Sequence, residues 1–234
     1  MTQNIKQIFT GAIKSLTPFE LSLWIFSLGA VSVCYAFIPD KNIFTLFSSL
    51  SGVSLVLFVG KGTVLGQIFT IFFSLCYGVV SFKLRFYSEM ITYLGMNTPI
   101  AIATMITWLR NPYKDSVEVT VAHMNLKKWL MMILSTIVVT VIFYFILKAL
   151  GTANLIICTV SIATSFGASY LEYLRSSYYA VGFMANDTVL IVLWLTAALK
   201  EKAYAAMAVC FVIFFINDLY GFINWQRMKK RQKN

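Results

Sequence analysis

Charged residues are what this sequence of 234 residues has least of. Asp, Glu, Lys and Arg make up 12% of the chain, whereas hydrophobic residues make up 59%. A soluble domain carries about 25% charged and about 45–50% apolar residues. Because the polar surface of a soluble enzyme is missing, lipid must surround most of this chain.

The sequence also has little histidine, and its cysteines are not clustered. The one histidine, His123, lies in a polar stretch, which excludes histidine acid–base chemistry inside a membrane. The four cysteines lie far apart in apolar runs, so we expect reduced thiols that pack as small hydrophobic groups. The sequence has no phosphate-binding loop, metal-ligand cluster or catalytic triad, and we expect no cofactor.

Long apolar segments fill the chain instead. Each is close to the ~20 residues that a helix needs to cross about 30 Å of hydrocarbon. Helices are required because backbone amides cannot stay unpaired in lipid. The sequence therefore predicts an all-α integral membrane protein with eight transmembrane helices. These segments are 19–38, 43–60, 63–82, 86–109, 129–150, 154–174, 177–199 and 203–225.

Basic residues lie between the apolar segments and give the chain a net charge of +10. With eight spans, 13 of the 19 Lys and Arg residues fall on the side of both termini. The positive-inside rule places that side, with the loop 110–128 and the tail 226–234, in the cytoplasm. The expected partner of these charges is the membrane surface rather than nucleic acid.

Two groups of apolar residues are typical of a membrane surface. In the N-terminal segment 1–18, apolar residues recur at helical spacing from Ile5 to Leu16, which predicts an interfacial amphipathic helix. The aromatic residues at the ends of two spans are most simply interfacial anchors. These are Tyr87, Trp108, Tyr204 and Trp225.

An internal repeat appears when the chain is shifted by 117 residues. The matched pairs are Lys83 with Lys200, Arg85 with Lys202, Tyr87 with Tyr204, and Trp108 with Trp225. The shift predicts two parallel three-helix repeats, 43–109 and 154–225, joined by a linker helix at 129–150. This 3+1+3 arrangement is that of SWEET-type sugar transporters, with 19–38 as an extra N-terminal helix. We expect the substrate site between the repeats, near the membrane midplane.

Polar residues inside spans are candidates for that site, because a buried charge costs about 2.5–3.5 kcal/mol on insertion scales. Asn186 and Asp187 lie near mid-membrane, and Tyr179 and Trp194 share a helical face with Asn186. The other candidates are Asn217 and Asp218 in the last span, Gln67 in the third, and the stripe Glu89, Tyr93 and Asn97 in the fourth.

Simpler interpretations apply to three of these residues. Asn217 can bond a neighbouring helix, Glu89 can extend to the membrane surface, and Trp194 can be a core residue. For the whole set, aromatic faces with amides and carboxylates suit a flat ligand with polar groups. Other classes that remain open are an intramembrane enzyme, with Asp187 and Asp218 as the catalytic pair, and an assembly scaffold.

One stretch resembles a known family. Residues 217–225 read Asn-Asp-Leu-Tyr-Gly-Phe-Ile-Asn-Trp. They resemble the helix endings of the Pnu-type vitamin transporters, the nicotinamide riboside (PnuC) family, which carry Asn, Tyr-Gly and Trp in this order. The resemblance covers roughly 43–228. It implies facilitated diffusion of a nucleoside-like vitamin that a cytoplasmic kinase then traps, and it leaves a homo-oligomer open.

The chain departs from this family at the binding helix. The family tends to carry Trp-x-x-Trp-x-x-x-Asn, and the matching positions here are Tyr179, Gly182 and Asn186. The amide is retained, one stacking plane is lost, and we expect the glycine to open space in the pocket. Nicotinamide riboside leads as the expected substrate, with deoxyribonucleosides (PnuN-like) and thiamine (PnuT-like) as alternatives.

Overall fold

The computed structural model describes residues 5–37, 43–83, 87–152, 154–199 and 205–233. Within these ranges the chain is almost entirely helical, which confirms the all-α class. The helices are α1 (Ile5–Lys14), α2 (Pro18–Ala36), α3 (Ile43–Gly60), α4 (Val64–Lys83), α5 (Tyr87–Ile91), a π-helical turn (Thr92–Asn97), α6 (Thr98–Leu109), α7 (Leu126–Ala149), α8 (Leu155–Tyr173), α9 (Tyr179–Ala198) and α10 (Ala205–Arg231).

Among the described residues, six helices are long and apolar enough to cross a membrane: α2, α4, α7, α8, α9 and α10. Leu46–Gly60, within α3, is a shorter apolar helix. The segment predicted as the fourth span is divided into α5, the π turn and α6. The count of eight spans therefore stays a prediction.

The π turn has a local cause in Pro99. Proline has no N–H and its ring clashes with the carbonyl four residues earlier, here that of Gly95. The chain responds with an i to i−5 bond, in which the backbone N–H of Thr98 donates to the carbonyl of Tyr93. The Thr98 hydroxyl donates to the same carbonyl at 2.8 Å. The predicted segment 86–109 is thus helical where described but not regular.

The helices pack as two triplets. The first triplet is α3, α4 and α5–α6, and the second is α8, α9 and α10. Across the triplets, α3 packs against α10 and α6 packs against α8, so the first helix of each meets the last helix of the other. Helix α2 packs on α3 and α10, and α7 lies at the edge against α8.

Trp108 and Trp225 lie where these triplets meet. Both side chains are fully buried, and their ring centroids are 5.6 Å apart. Trp108 Nε1 donates to the carbonyl of Glu172 at 3.2 Å, and Trp225 Nε1 donates to that of Val59 at 2.9 Å. The prediction that they are interfacial anchors is wrong, because burial and a buried acceptor for each indole N–H make them core residues.

The other residues predicted as interfacial anchors or as matched pairs of the repeat are described only in part. Tyr204, Lys200, Lys202 and Arg85 lie outside the described residues, as do the side chains of Tyr87 and Lys83. Among the matched pairs of the predicted repeat, the structure therefore describes the side-chain geometry of Trp108 with Trp225.

Helix α1 docks on the protein rather than only on a membrane surface. Ile8 and Ala12 are buried in the same hydrophobic cluster as Val64 of α4. A Cβ on Gly11 would lie 2.7 Å from a methyl group of Val117, so the helix passes close to the loop after α6. The apolar face that was predicted to contact lipid thus contacts protein at these positions.

The loop between α6 and α7 joins the turns of both triplets at one end of the bundle. Val119 N donates to the carbonyl of Gly62 in the α3–α4 turn at 2.8 Å. Ala122 N donates to the carbonyl of Arg175 in the α8–α9 turn at 2.9 Å. We call this loop, residues 110–125, the strap. Burial lowers the pKa of the Arg175 guanidinium from its usual value.

A buried ion pair joins α2 to the start of the α3–α4 turn. Lys61 Nζ lies 2.8 and 2.9 Å from the two carboxylate oxygens of Glu20. Glu20 also accepts from the backbone of Thr17 at 2.6 Å in a capping box and from the hydroxyl of Tyr220. Glu20 and Lys61 are 4% and 8% exposed, so each depends on the other for compensation of its charge.

We expect Lys61→Ala to lower the free energy of unfolding by about 3 kcal/mol, because it leaves the Glu20 carboxylate buried without its cation. The measurement is equilibrium unfolding in mixed micelles. The double variant Glu20→Gln/Lys61→Met should recover most of the loss, since no lone charge remains. Lys14→Ala, at an exposed position, is the control. Equal losses in the single and double variants would contradict the assignment.

Candidate functional site

A cavity lies between the two triplets, and all six of their helical segments contribute to its walls. The space between its lining side chains, together with the open space at its mouth, is about 760 Å³. Its position between the triplets matches the place where the sequence predicted a substrate site.

Six of the ten predicted site residues line this cavity: Tyr93, Asn97, Tyr179, Asn186, Asp187 and Asp218. They come from the π turn, α9 and α10, which are far apart in sequence. The π turn lies at the cavity wall, and both of its lining residues, Tyr93 and Asn97, come from the predicted fourth-span stripe.

The other four predicted residues lie elsewhere. Gln67 stands behind the wall and donates from Nε2 to Glu172 Oε1 at 2.5 Å. Asn217 donates to Ser27 Oγ at 3.0 Å and to a carbonyl of its own helix, so it joins α10 to α2. Trp194 belongs to a hydrophobic cluster of α9 and α10, and Glu89 is half-buried in α5. The simpler interpretations of Asn217 and Trp194 agree with these positions.

Helix α8 supplies lining residues that sequence reasoning missed. Ser165, Ser169 and Glu172 all line the cavity, at spacings of four and three residues that place them on one helical face. Glu172 lies near the helix end, where an acidic residue suggests contact with the membrane surface, yet it is 5% exposed. The sequence does contain a signal for this face, a stripe of polar residues at helical spacing from Ser161 to Glu172.

Asn186 is held in a fixed orientation by α8. Its Oδ1 accepts from Thr164 Oγ1 at 2.9 Å and from Ser161 Oγ at 3.3 Å. Because the oxygen is occupied, the amide N–H groups are the donors that Asn186 can offer to a ligand. On the same helix, Ser165 Oγ lies 3.5 Å from Asn97 Oδ1 and connects α8 to the π turn.

Aromatic rings form much of the remaining wall. The ring of Phe73 lies edge-on to Tyr93 at 5.5 Å, and Phe211 lies edge-on to Phe214 at 5.6 Å. These arrangements leave a pocket that combines ring faces with a small number of polar groups, as ligand sites commonly do.

Tyr179 is fixed between the cavity and the core. Its ring lies 4.8 Å from that of Trp225, and its side chain is fully buried. Gly221 makes this possible, because a Cβ there would lie 2.8 Å from the Tyr179 hydroxyl and 3.2 Å from the Cα of Gly60. Tyr179 therefore contributes a ring that cannot move far from its place at the cavity wall.

Gly182 does not open the pocket, which corrects the expectation drawn from the family pattern. A Cβ at this position would lie 2.8 Å from both Cα and Cβ of Ala168. The space that a tryptophan would need is occupied by the backbone of α8. The glycine instead lets α9 approach α8 and brings Asn186 within reach of Thr164 and Ser161.

The helical fold and its cavity suit a membrane transporter, and comparisons with known proteins identify the chain as a transporter rather than an enzyme. The sequence profile of the nicotinamide mononucleotide transporter family matches residues 42–227. This chain belongs to that family, which confirms the resemblance seen in the sequence.

Two curated relatives are similar along most of their length. The nicotinamide riboside transporter PnuC of Neisseria mucosa is 26% identical over 220 residues, covering 92% of this chain and 83% of the relative. That of Haemophilus influenzae is 26% identical over 235 residues, covering 99% and 98%. A crystal structure of the vitamin B3 transporter PnuC has the same fold, with a TM-score of 0.82 at 23% identity over 98% of this chain and 100% of that one.

We expect Gly182→Ala to destabilise the protein by about 1–3 kcal/mol, because the new methyl group would overlap the backbone of α8. Thermal unfolding in detergent is the measurement. Gly29→Ala in α2 is the control, since nothing lies within 4 Å of a Cβ there and alanine is the better helix former. A melting temperature for Gly182→Ala at or above that of the unmodified protein would refute the close approach.

Proposed function

We propose that this protein carries a nucleoside-type vitamin, nicotinamide riboside first, across a bacterial inner membrane by facilitated diffusion. Both termini lie in the cytoplasm, where a kinase traps the substrate by phosphorylation. The main support is a cavity between two helix triplets, lined by aromatic rings and polar side chains, in a member of this transporter family. The names of the two curated relatives support the choice of substrate.

The same proposal includes eight spans in a 3+1+3 order with α2 as the extra helix. The reciprocal contacts of α3 with α10 and of α6 with α8 support two equivalent units. So does the Trp108–Trp225 pair, whose members occupy matching places in the two triplets. Helix α7, at the edge of the bundle and largely exposed, has the position expected of a linker.

The predicted site residues that line the cavity, and Gln67 next to them, receive roles in this proposal. Asn186 donates to an oxygen of the substrate, and Tyr179 and Tyr93 offer ring faces or edges to its base. Asp187, Asp218 and Asn97 accept from ribose hydroxyls or amide hydrogens. Gln67 acts through Glu172, which it holds in place by its 2.5 Å hydrogen bond.

Substrate identity is tested by calorimetry on the detergent-purified protein. Nicotinamide riboside, thymidine, deoxyadenosine and thiamine are titrated in parallel, so the deoxyribonucleoside and thiamine alternatives are measured on equal terms. Saturable binding of nicotinamide riboside supports the proposal. Binding of thymidine or deoxyadenosine in its place would assign the protein to the deoxyribonucleoside branch.

Facilitated diffusion is tested in liposomes without a kinase. We expect nicotinamide riboside to equilibrate across the membrane without accumulating, and an uncoupler to leave its initial rate unchanged. Enclosing a nicotinamide riboside kinase with ATP should convert equilibration into accumulation. Uptake against a concentration gradient in empty liposomes, abolished by the uncoupler, would disprove facilitated diffusion.

We expect Asn186→Ala to weaken nicotinamide riboside binding by about tenfold or more, since a lost hydrogen bond in a buried site costs about 1–3 kcal/mol. Binding calorimetry measures the effect and liposome uptake confirms it. Thr188→Ala is the matched control, because Thr188 is exposed on the same helix and bonds only to its own turn at Met184. Equal affinities of the two variants for nicotinamide riboside would contradict a role for Asn186 in substrate binding.

A further inference from the structure

We propose that the cavity selects flat ligands that carry a fixed positive charge, and that Glu172, Asp187 and Asp218 are the residues that make this selection. The proposal rests on the proposed function, because it names the substrate class of the same cavity. It separates two groups that the sequence left together: cationic ring compounds and uncharged deoxyribonucleosides.

The first observation is an imbalance of charge. Glu172, Asp187 and Asp218 line the cavity, and its lining includes no Lys, Arg or His. Asp218 lies within electrostatic range of both other carboxyl groups. Elsewhere in the described residues, two acidic side chains form ion pairs: Glu20 with Lys61, and Glu118 with Arg231. A buried carboxyl group without such a partner takes up a proton rather than staying charged, and a cationic ligand can replace that proton.

The second observation is that polar groups at the wall lack complementary partners. The Tyr179 hydroxyl is 0% exposed, and among the described residues it has no hydrogen-bond partner. Asp187 is 5% exposed, and its carboxyl group pairs with that of Asp218, which is itself acidic. Buried polar atoms are nearly always paired, and those at a cavity wall therefore indicate a bound molecule.

The third observation is the aromatic wall, which determines the kind of cation. Ring faces attract positive charge, and organic cations use such rings together with carboxylates. Phe73, Tyr93, Phe211 and Phe214 all line the cavity. No three carboxylate, Cys or His side chains among the described residues are arranged as ligands for a metal ion. The chemistry of the wall thus favours an organic ring cation.

A matched pair of ligands tests the charge directly. Nicotinamide riboside carries a fixed positive charge on its pyridinium ring, and its 1,4-dihydro form is neutral with nearly the same shape. Both are titrated by calorimetry into the full-length protein in detergent. We expect the cation to bind at least about tenfold more tightly than the neutral form.

The variants Glu172→Gln, Asp187→Asn and Asp218→Asn then assign the selection to these residues. Each removes one carboxylate at nearly constant shape. We expect at least one of them to reduce the preference for the cation by about fivefold or more, mainly through weaker binding of the cation. Binding of the neutral form reports that the variant is folded. Asp115→Asn, in the exposed part of the strap, should leave both affinities unchanged.

The outcomes separate this inference from the proposed function. Equal or tighter binding of the neutral form to the unmodified protein overturns the inference and leaves a nucleoside transporter. A preference for the cation that persists unchanged in all three variants overturns the assignment to these carboxylates. Failure of every nucleoside to bind or to enter liposomes removes the proposed function, and the inference with it.

Discussion

Helices α3 and α10 come so close at Gly60 and Gly221 that a side chain on either residue would press on the other helix. A Cβ on either residue would lie 3.2 Å from the Cα of the other. This contact joins the first triplet to the second, and it places Trp225 where its indole reaches the carbonyl of Val59. Because Tyr179 packs on Trp225, and Asp218 lies one helical turn before Gly221, the contact also sets two walls of the cavity.

The close contact relates the architecture to the chemistry of the site. A cavity between two triplets keeps its shape only if the triplets meet at fixed points, and the glycine pair and the tryptophan pair are such points. Lipid supplies no hydrophobic driving force between helices, so small residues and buried hydrogen bonds must hold them. These contacts thus position the helices that carry the polar side chains of the cavity, and hydrogen bonds such as those to Asn186 then orient the side chains.

Much of the fold could be predicted because apolar length and turn residues are local signals. The helical class followed from them. The polar residues inside spans indicated six of the lining residues, and the resemblance of residues 217–225 indicated the family. Glu172 was missed because its place at a helix end suggests solvent, and only packing reveals its burial. Trp108 and Trp225 were misassigned because a tryptophan near a span end suits either the interface or a core. The effect of Gly182 depends on how near α8 comes, a distance that no spacing in the sequence encodes.

The strap holds the turns of the two triplets through main-chain groups. Its bonds run from Val119 N to Gly62 O and from Ala122 N to Arg175 O, and side-chain chemistry does not enter them. Substitutions at the exposed positions of this loop can therefore accumulate without releasing either turn, provided that positions 119 and 122 keep an amide hydrogen. Proline, which has none, is the residue that evolution should exclude from both positions.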